Sequence, residues 1–190
     1  MINKEDVANL LRSFDTGSDG ETEKSRELML ALLAHSPDPF SREVSTPGHI
    51  TCTGAVLSPD GNSVLLVHHR RLDRWLLPGG HVEIEDATIG DVARREVVEE
   101  TGATLTGASP VLAGIDVHPI PPNKREPLHL HHDLIFAFHA SSETFQVSEE
   151  SRAVAWCPLD QFSRYDLPTS IRRSVLRAVS NVQSNRPHQL

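Results

Sequence analysis

The sequence predicts a mixed α/β layered domain behind an N-terminal helical extension, and three observations carry that class. Apolar residues recur at helical spacing through the first 45 residues, whereas from His49 onward they alternate as in strands. A single well-capped helix then interrupts the strand-forming runs, and another closes the pattern near the C-terminus. We therefore divide the chain into an extension (1–45), a main domain (46–182) and a tail (183–190).

In the extension, "NKEDVANLLRSF" offers Asn3 as an N-cap, with Val7, Leu10, Leu11 and Phe14 at helical spacing. The stretch "ETEKSRELMLALLAH" repeats the pattern through Leu28, Leu32 and Leu33. "TGSDGE" turns the chain between the two helices, and the prolines of "SPDPF" end the second. The pair reads as a bracket that caps the main domain or joins two copies in a homodimer.

The runs "HITCTGAVLS" and "SVLLVHHR" are β-rich and separated by "PDGN", a hairpin signal. "LLPGGHVEIED" reads as a loop, because Pro78-Gly79-Gly80 frees the backbone to approach a ligand or ion. Thr88 with Asp91 forms a capping box, Gly102 suits a left-handed C-cap, and Ile89, Val92, Ala93, Val97 and Val98 supply the apolar positions between them. Further strands follow in "SPVLAGIDVHPI", "LHLHHDLIFAFHA" and "ESRAVAWCPL". In the second of these, Leu130, His132, Leu134, Phe136 and Phe138 face one way, opposite His131, Asp133, Ile135, Ala137 and His139. The closing helix starts near Asp166–Pro168 and carries Ile171, Val175, Val179 and Val182 on one face.

Composition narrows the class of function. The chain is 38% hydrophobic and 23% charged, as in ordinary globular proteins. Its net charge of −8 argues against stable nucleic-acid binding, while leaving room for a local basic patch around one phosphorylated small molecule. The longest apolar run, "LMLALLA", is too short for a membrane span, and no secretory leader is recognisable, so a cytoplasmic address is expected. Cys52 and Cys157 stand far apart in sequence, give no disulfide framework, and read as small buried hydrophobes.

The chemistry concentrates in "REVVEETG". Glu96, Glu99 and Glu100 share one face near a helix C-terminus, where like charges repel one another and the helix dipole opposes them further. A hard divalent cation relieves both penalties. Oxygen ligands in such a cluster suit Mg²⁺ or Mn²⁺, which keep water ligands and engage phosphates.

Gly80 followed by Arg95-Glu96-Val97-Val98-Glu99-Glu100-Thr101-Gly102-Ala103 closely resembles the Nudix box, and "RWLLPGGHVE" looks like its usual lead-in. The resemblance extends loosely from Gly48 to Phe162. One position more than the family's pattern separates Gly80 from Glu96. The surplus is expected in "EIEDA", ahead of Thr88, because a residue inserted within a helix rotates every later side chain by about 100°. The family's first box Glu would then be replaced by Asp86 or Glu85. Asp86 itself is expected near the helix N-terminus, where its replacement by Ala costs modest stability and little catalysis.

The resemblance implies a Nudix-like α/β/α sandwich with a mixed sheet, and hydrolysis of a diphosphate linked to another group, often a nucleoside diphosphate derivative. By carry-over, Glu96, Glu99 and Glu100 ligate Mg²⁺ or Mn²⁺ together with a backbone carbonyl of Gly79 or Gly80. One of these Glu, or an acid from a later loop, activates water. Arg95 is placed in the catalytic set with Glu96 and Glu99, as a brace on carboxylates rather than a substrate contact. For the substrate we select Arg70 and Arg71 from "HHRRLDRW", together with His81 and His132; Trp75 is expected to pack against the loop. His129, His131, His132 and His139, with His81 and His118 elsewhere, read as polar residues lining a pocket rather than a transition-metal site, since no pair has finger spacing and no Cys is near. Two rivals share the fold. One is a catalytically weak nucleotide-metabolite sensor, against which the complete box carboxylates argue. The other is the isopentenyl diphosphate isomerase branch, which would require a cysteine near the glycine loop.

Overall fold

The computed structural model describes residues 2–124 and 126–184, except for the side chains of 182–184. Val182 in the expected apolar stripe and residues 185–190 of the expected tail lie outside the described residues.

Helix α1 (Lys4–Ser13) starts where the Asn3 carboxamide accepts the Glu5 N–H at 2.8 Å, and α2 (Gly20–His35) starts at Asp19, which accepts the Glu21 N–H. Val7, Leu11, Met29, Leu32 and Leu33 are buried. Leu28 is not. Placed on the apolar stripe by sequence, it is 48% exposed, because the buried face of α2 runs through Thr22, Ser25, Met29, Leu32 and Leu33.

The main sheet contains β1 (His49–Leu57), β2 (Ser63–His69), β3 (Arg74–Leu76), β4 (Gly79–His81), β5 (Val111–Ile120), β6 (His129–His139) and β7 (Ser151–Pro158). Its order is β3-β2-β1-β6-β5, with β4 paired to β1 and β7 to β2. The β1–β6 ladder is parallel and the other pairings are antiparallel, so the sheet is mixed. The β1/β2 hairpin pairs only beside its turn, at Leu57–Val64; beyond it β1 joins β6 and β2 joins β7. The glycine stretch expected as loop is in part a strand, since Gly79, Gly80 and His81 pair with Thr53, Cys52 and Thr51.

Alternation along the strands divides the core in two. On one face Ile50, Cys52, Val56, Leu134, Phe136 and Phe138 pack with α1, α2 and α3 (Ile89–Thr101). On the other, Ala55, Leu57, Val64, Ile135, Ala137 and Cys157 pack with α4 (Thr169–Ser184), which follows a short 3₁₀ turn at Phe162–Tyr165. Both cysteines are buried and unpaired. The result is an α/β/α sandwich whose helical extension shares the core of the sheet.

Hydrogen bonds secure the extension further. Lys4 Nζ donates to the Ser36 carbonyl at 2.6 Å, and the Ile50 N–H donates to the Pro39 carbonyl. From α4, Arg177 donates to the Asp15 and Thr16 carbonyls and lies over the Phe14 ring, while Arg173 pairs with Asp19. Among the described residues, no helix is long and apolar enough to cross a membrane.

Candidate active site

Helix α3 begins at Ile89 under a complete capping box, with the Asp91 N–H donating to Thr88 Oγ1 and the Thr88 N–H to Asp91 Oδ2, and ends on Gly102 at φ 59°. Of its expected apolar positions, Ile89, Val92, Ala93 and Val97 are buried, but Val98 is 47% exposed, because the helix turns that position away from the sheet. This phase directs the acidic face toward β4. Glu100 Oε2 accepts the Gly79 N–H at 3.0 Å. The Glu96 carboxylate lies so close to Gly80 that a Cβ there would sit 2.5 Å from Oε1, so any side chain at this position would push the carboxylate aside. Glu99 is the most open of the three, its side chain 57% exposed.

Arg95 holds this group together. Its Nε and Nη2 donate to Asp86 at 3.1 and 3.0 Å, Nη2 also reaches the His81 carbonyl, and Nη1 donates to Glu96 and Glu99 at 2.9 and 3.1 Å. Arg95 does not line the pocket described below; its contacts are to these carboxylates and the His81 carbonyl. Asp86 departs from its expected role. It lies two residues ahead of the Thr88 N-cap, near the helix N-terminus as expected, but it is buried, grips Arg95 with both oxygens and accepts the Glu83 N–H at 2.8 Å. Glu85 stays exposed, so Asp86 is the acid that pairs with the box arginine.

Burial raises the pKa of Glu96 against the pull of Arg95, and Glu99 and Glu150 push it further the same way. Burial also lifts Glu100 to about 7, with the Gly79 N–H opposing and Glu96, Glu150 and Glu99 adding to the rise. A single guanidinium therefore leaves the cluster with excess negative charge. Carboxylates sharing one helix end, beside a backbone cleared of side chains, offer the oxygen ligands that a small hard cation takes.

The carboxylates form one wall of a pocket of about 720 Å³. Gly79, Gly80, His81, Glu96, Glu99 and Glu100 line it, and so do Arg42, Arg70, Arg71 and Arg74. Arg70 is partly committed, donating to the Glu149 and Ser151 carbonyls, and Arg71 pairs with Glu126 at 3.0 Å. His132 does not belong here. It alternates to the other face of β6, is 2% exposed, and is absent from the pocket wall. Trp75 packs edge-on against His68 and Tyr165, away from the pocket.

Several lining residues escaped the sequence reading. Asp133, buried on β6, accepts hydrogen bonds from Thr51 and Thr53, and burial raises its pKa against those bonds and nearby His118. Its place on the polar face of β6 was the available signal. Glu150 precedes β7 and reaches the cluster from a loop whose sequence gave no sign of it. The histidines assemble differently than expected. His81, His118, His129 and His131 line the pocket, whereas His132 and His139 do not, and His49 joins the group from the start of β1. Burial lowers the pKa of His49, His81 and His131, and neighbouring histidines lower it further. Burial opposes charge on His118 too, but its hydrogen bond to Asp116 and the charge of Asp133 outweigh that and raise it.

Comparison with known proteins follows the same geometry. Structural matches include an Ap4A hydrolase of C. elegans in a binary complex (15% identity, TM-score 0.50, covering 71% of this chain and 98% of that one). They also include a MutT protein from Methanosarcina mazei Go1 (22% identity, TM-score 0.50, covering 73% and 95%) and a NUDIX-family hydrolase from Clostridium perfringens (18%, TM-score 0.51, covering 72% and 97%). At these identities the likeness establishes the fold. No curated protein matches the sequence. A family model described as NUDIX domain matches residues 48–178, which takes in β1, the carboxylate helix and most of α4. The chain belongs to the Nudix family.

Proposed function

We propose that this Nudix enzyme hydrolyses a diphosphate linkage in a nucleoside diphosphate derivative or similar organic pyrophosphate, using Mg²⁺ or Mn²⁺. One observation carries the reading: the carboxylates of α3 and the arginines Arg42, Arg70, Arg71 and Arg74 line a single pocket. Glu96, Glu99 and Glu100, with a backbone carbonyl of Gly79 or Gly80, are the residues that would hold the metal. When bound, the ion supplies Lewis-acid polarisation of phosphoryl oxygens and neutralises developing charge.

The chain's own residues do the remainder. Arg71 and Arg74 offer guanidinium groups to phosphate oxygens, a geometry that arginine matches well. Arg74 makes no ion pair among the described residues, whereas Arg71 must exchange Glu126 for the substrate. Arg95 fixes the carboxylates in place, which keeps the cluster open toward the pocket. The proton released by attacking water passes to Glu99, the most exposed box carboxylate, or to Glu150, which borders the same pocket.

The test is a panel of nucleoside diphosphate derivatives and simpler organic diphosphates, with products resolved by chromatography. Turnover should require Mg²⁺ or Mn²⁺, vanish with chelator, and fall roughly 10²- to 10⁴-fold in Glu99→Gln. Full activity in excess EDTA overturns the proposal. Tight binding of a panel member without turnover, in the metal-loaded protein, would establish the sensor reading instead.

A further inference from the structure

We propose that His49, His129 and His131 form a second metal site, specific for Zn²⁺ and similar first-row transition ions and chemically distinct from the carboxylate cluster. This inference does not depend on the diphosphatase reading. One ring nitrogen from each of the three lies within 4.8 Å of the others. Parallel pairing of β1 with β6 sets His49 directly beside His131, and His129 lies on the same side of β6 as His131, so rigid strands converge the set.

Hydrogen bonding decides which nitrogens are available. His49 Nδ1 lies 2.9 Å from the Val44 carbonyl, and His129 Nδ1 lies 2.9 Å from the Pro127 carbonyl. A carbonyl only accepts, so both Nδ1 atoms carry the proton and both Nε2 atoms present lone pairs. Backbone carbonyls orient metal-binding histidines in this way. His49 is 1% exposed, and its Nε2 has no partner among the described residues, an unusual state for a buried polar atom. A cation beside it would satisfy that lone pair. With His129 Nε2 accepting, His131 Nε2–H donates to it across 3.2 Å; loss of that one proton would leave both nitrogens at close to the separation of about 3.3–3.4 Å that tetrahedral Zn–N bonds of about 2.0–2.1 Å impose. His81 is placed to complete the set, its ring centroid 5.1 Å from that of His49 and 5.2 Å from that of His131.

Ligand chemistry separates the two sites. Imidazole nitrogens suit Zn²⁺, Co²⁺ and Ni²⁺, whereas carboxylate oxygens suit Mg²⁺ and Mn²⁺. Because His81, His129 and His131 line the same pocket as Glu96, the second ion would border the substrate.

The test uses the full chain, stripped of metal and then saturated with Mg²⁺ so that the carboxylates are occupied. Co²⁺ is titrated in and followed by its visible absorption, which is intense in tetrahedral nitrogen coordination and weak in octahedral oxygen coordination. One Co²⁺ per chain should bind with the intense spectrum and be displaced by Zn²⁺. His129→Gln and His131→Gln should each weaken binding by more than about 10-fold, given that even loss of an outer-shell partner costs that much. Glu99→Gln should leave the spectrum unchanged. Wild-type protein showing no Co²⁺ uptake, or only a weak octahedral spectrum, overturns the proposal whether or not the variants fold. Unaltered binding in both histidine variants overturns it as well.

Discussion

Replacing Asp86 by Ala tests the arrangement at its most loaded point. The side chain is 4% exposed and accepts three hydrogen bonds, two from Arg95 and one from the Glu83 N–H. Breaking one partner of a buried ion pair typically costs about 3–5 kcal/mol. Here Arg95 keeps Glu96, Glu99 and the His81 carbonyl, and its side chain is 19% exposed, which reduces the penalty. The orphaned Glu83 N–H returns about 1 kcal/mol of it. We expect a net loss of about 2–3 kcal/mol, equivalent to a fall in Tm of about 5–10 °C for a chain of this size. Turnover should drop as well, because Arg95, freed on one side, shifts Glu96 and Glu99. Urea unfolding of wild type, Asp86→Ala, Arg95→Ala and the double variant gives the coupling directly, expected at about 1–3 kcal/mol. Additive losses, or an Asp86→Ala protein within about 0.5 kcal/mol of wild type, would refute the account of Asp86 as a structural anchor.

Two further outcomes follow from the same geometry. Glu100→Gln should stabilise the metal-free protein at alkaline pH. The folded pKa of about 7 exceeds the ordinary 4.5, so the wild-type contribution is complete below 4.5 and lost as pH rises through 7. The variant does not titrate and should gain up to about 3 kcal/mol on wild type near pH 8 and little near pH 5, measured by urea unfolding in EDTA; a pH-independent difference would contradict the cause assigned. Gly80→Ala should displace the Glu96 carboxylate, which a Cβ would meet at 2.5 Å, and cut turnover by about 10²-fold with little change in Tm; wild-type kinetics would show that Glu96 tolerates the shift.

Legibility from sequence tracked how local each cause was. Asn3, the Thr88–Asp91 box and Gly102 announce helix ends through contacts within four residues, and all three hold. The glycines of β4 carry no strand propensity, and only pairing with β1 makes them a strand. The phase of α2 depends on which side meets the sheet, so Met29 rather than Leu28 is buried. Helical spacing correctly put Glu96, Glu99 and Glu100 together, because a single helix carries them. Asp86 was misjudged because its partner Arg95 reaches back across a full turn and a loop. The histidine group was misjudged because His49 meets His131 only through a parallel ladder joining strands 82 residues apart at Thr51 and Asp133.

The bonds from Arg177 to Asp15 and Thr16 span 162 and 161 positions of sequence. At a synthesis rate of about 5–20 residues per second, the loop between α1 and α2 leaves the ribosome roughly 10–30 s before its anchor. The strands that bury Val7, Leu11 and Met29 also emerge after them. The helical extension is thus made before the strands and the helix that cover it, and is among the last to find all its partners. During that interval its apolar face is open to water, to chaperones and to other nascent chains, so a tie that spans most of the chain marks a long wait in its assembly.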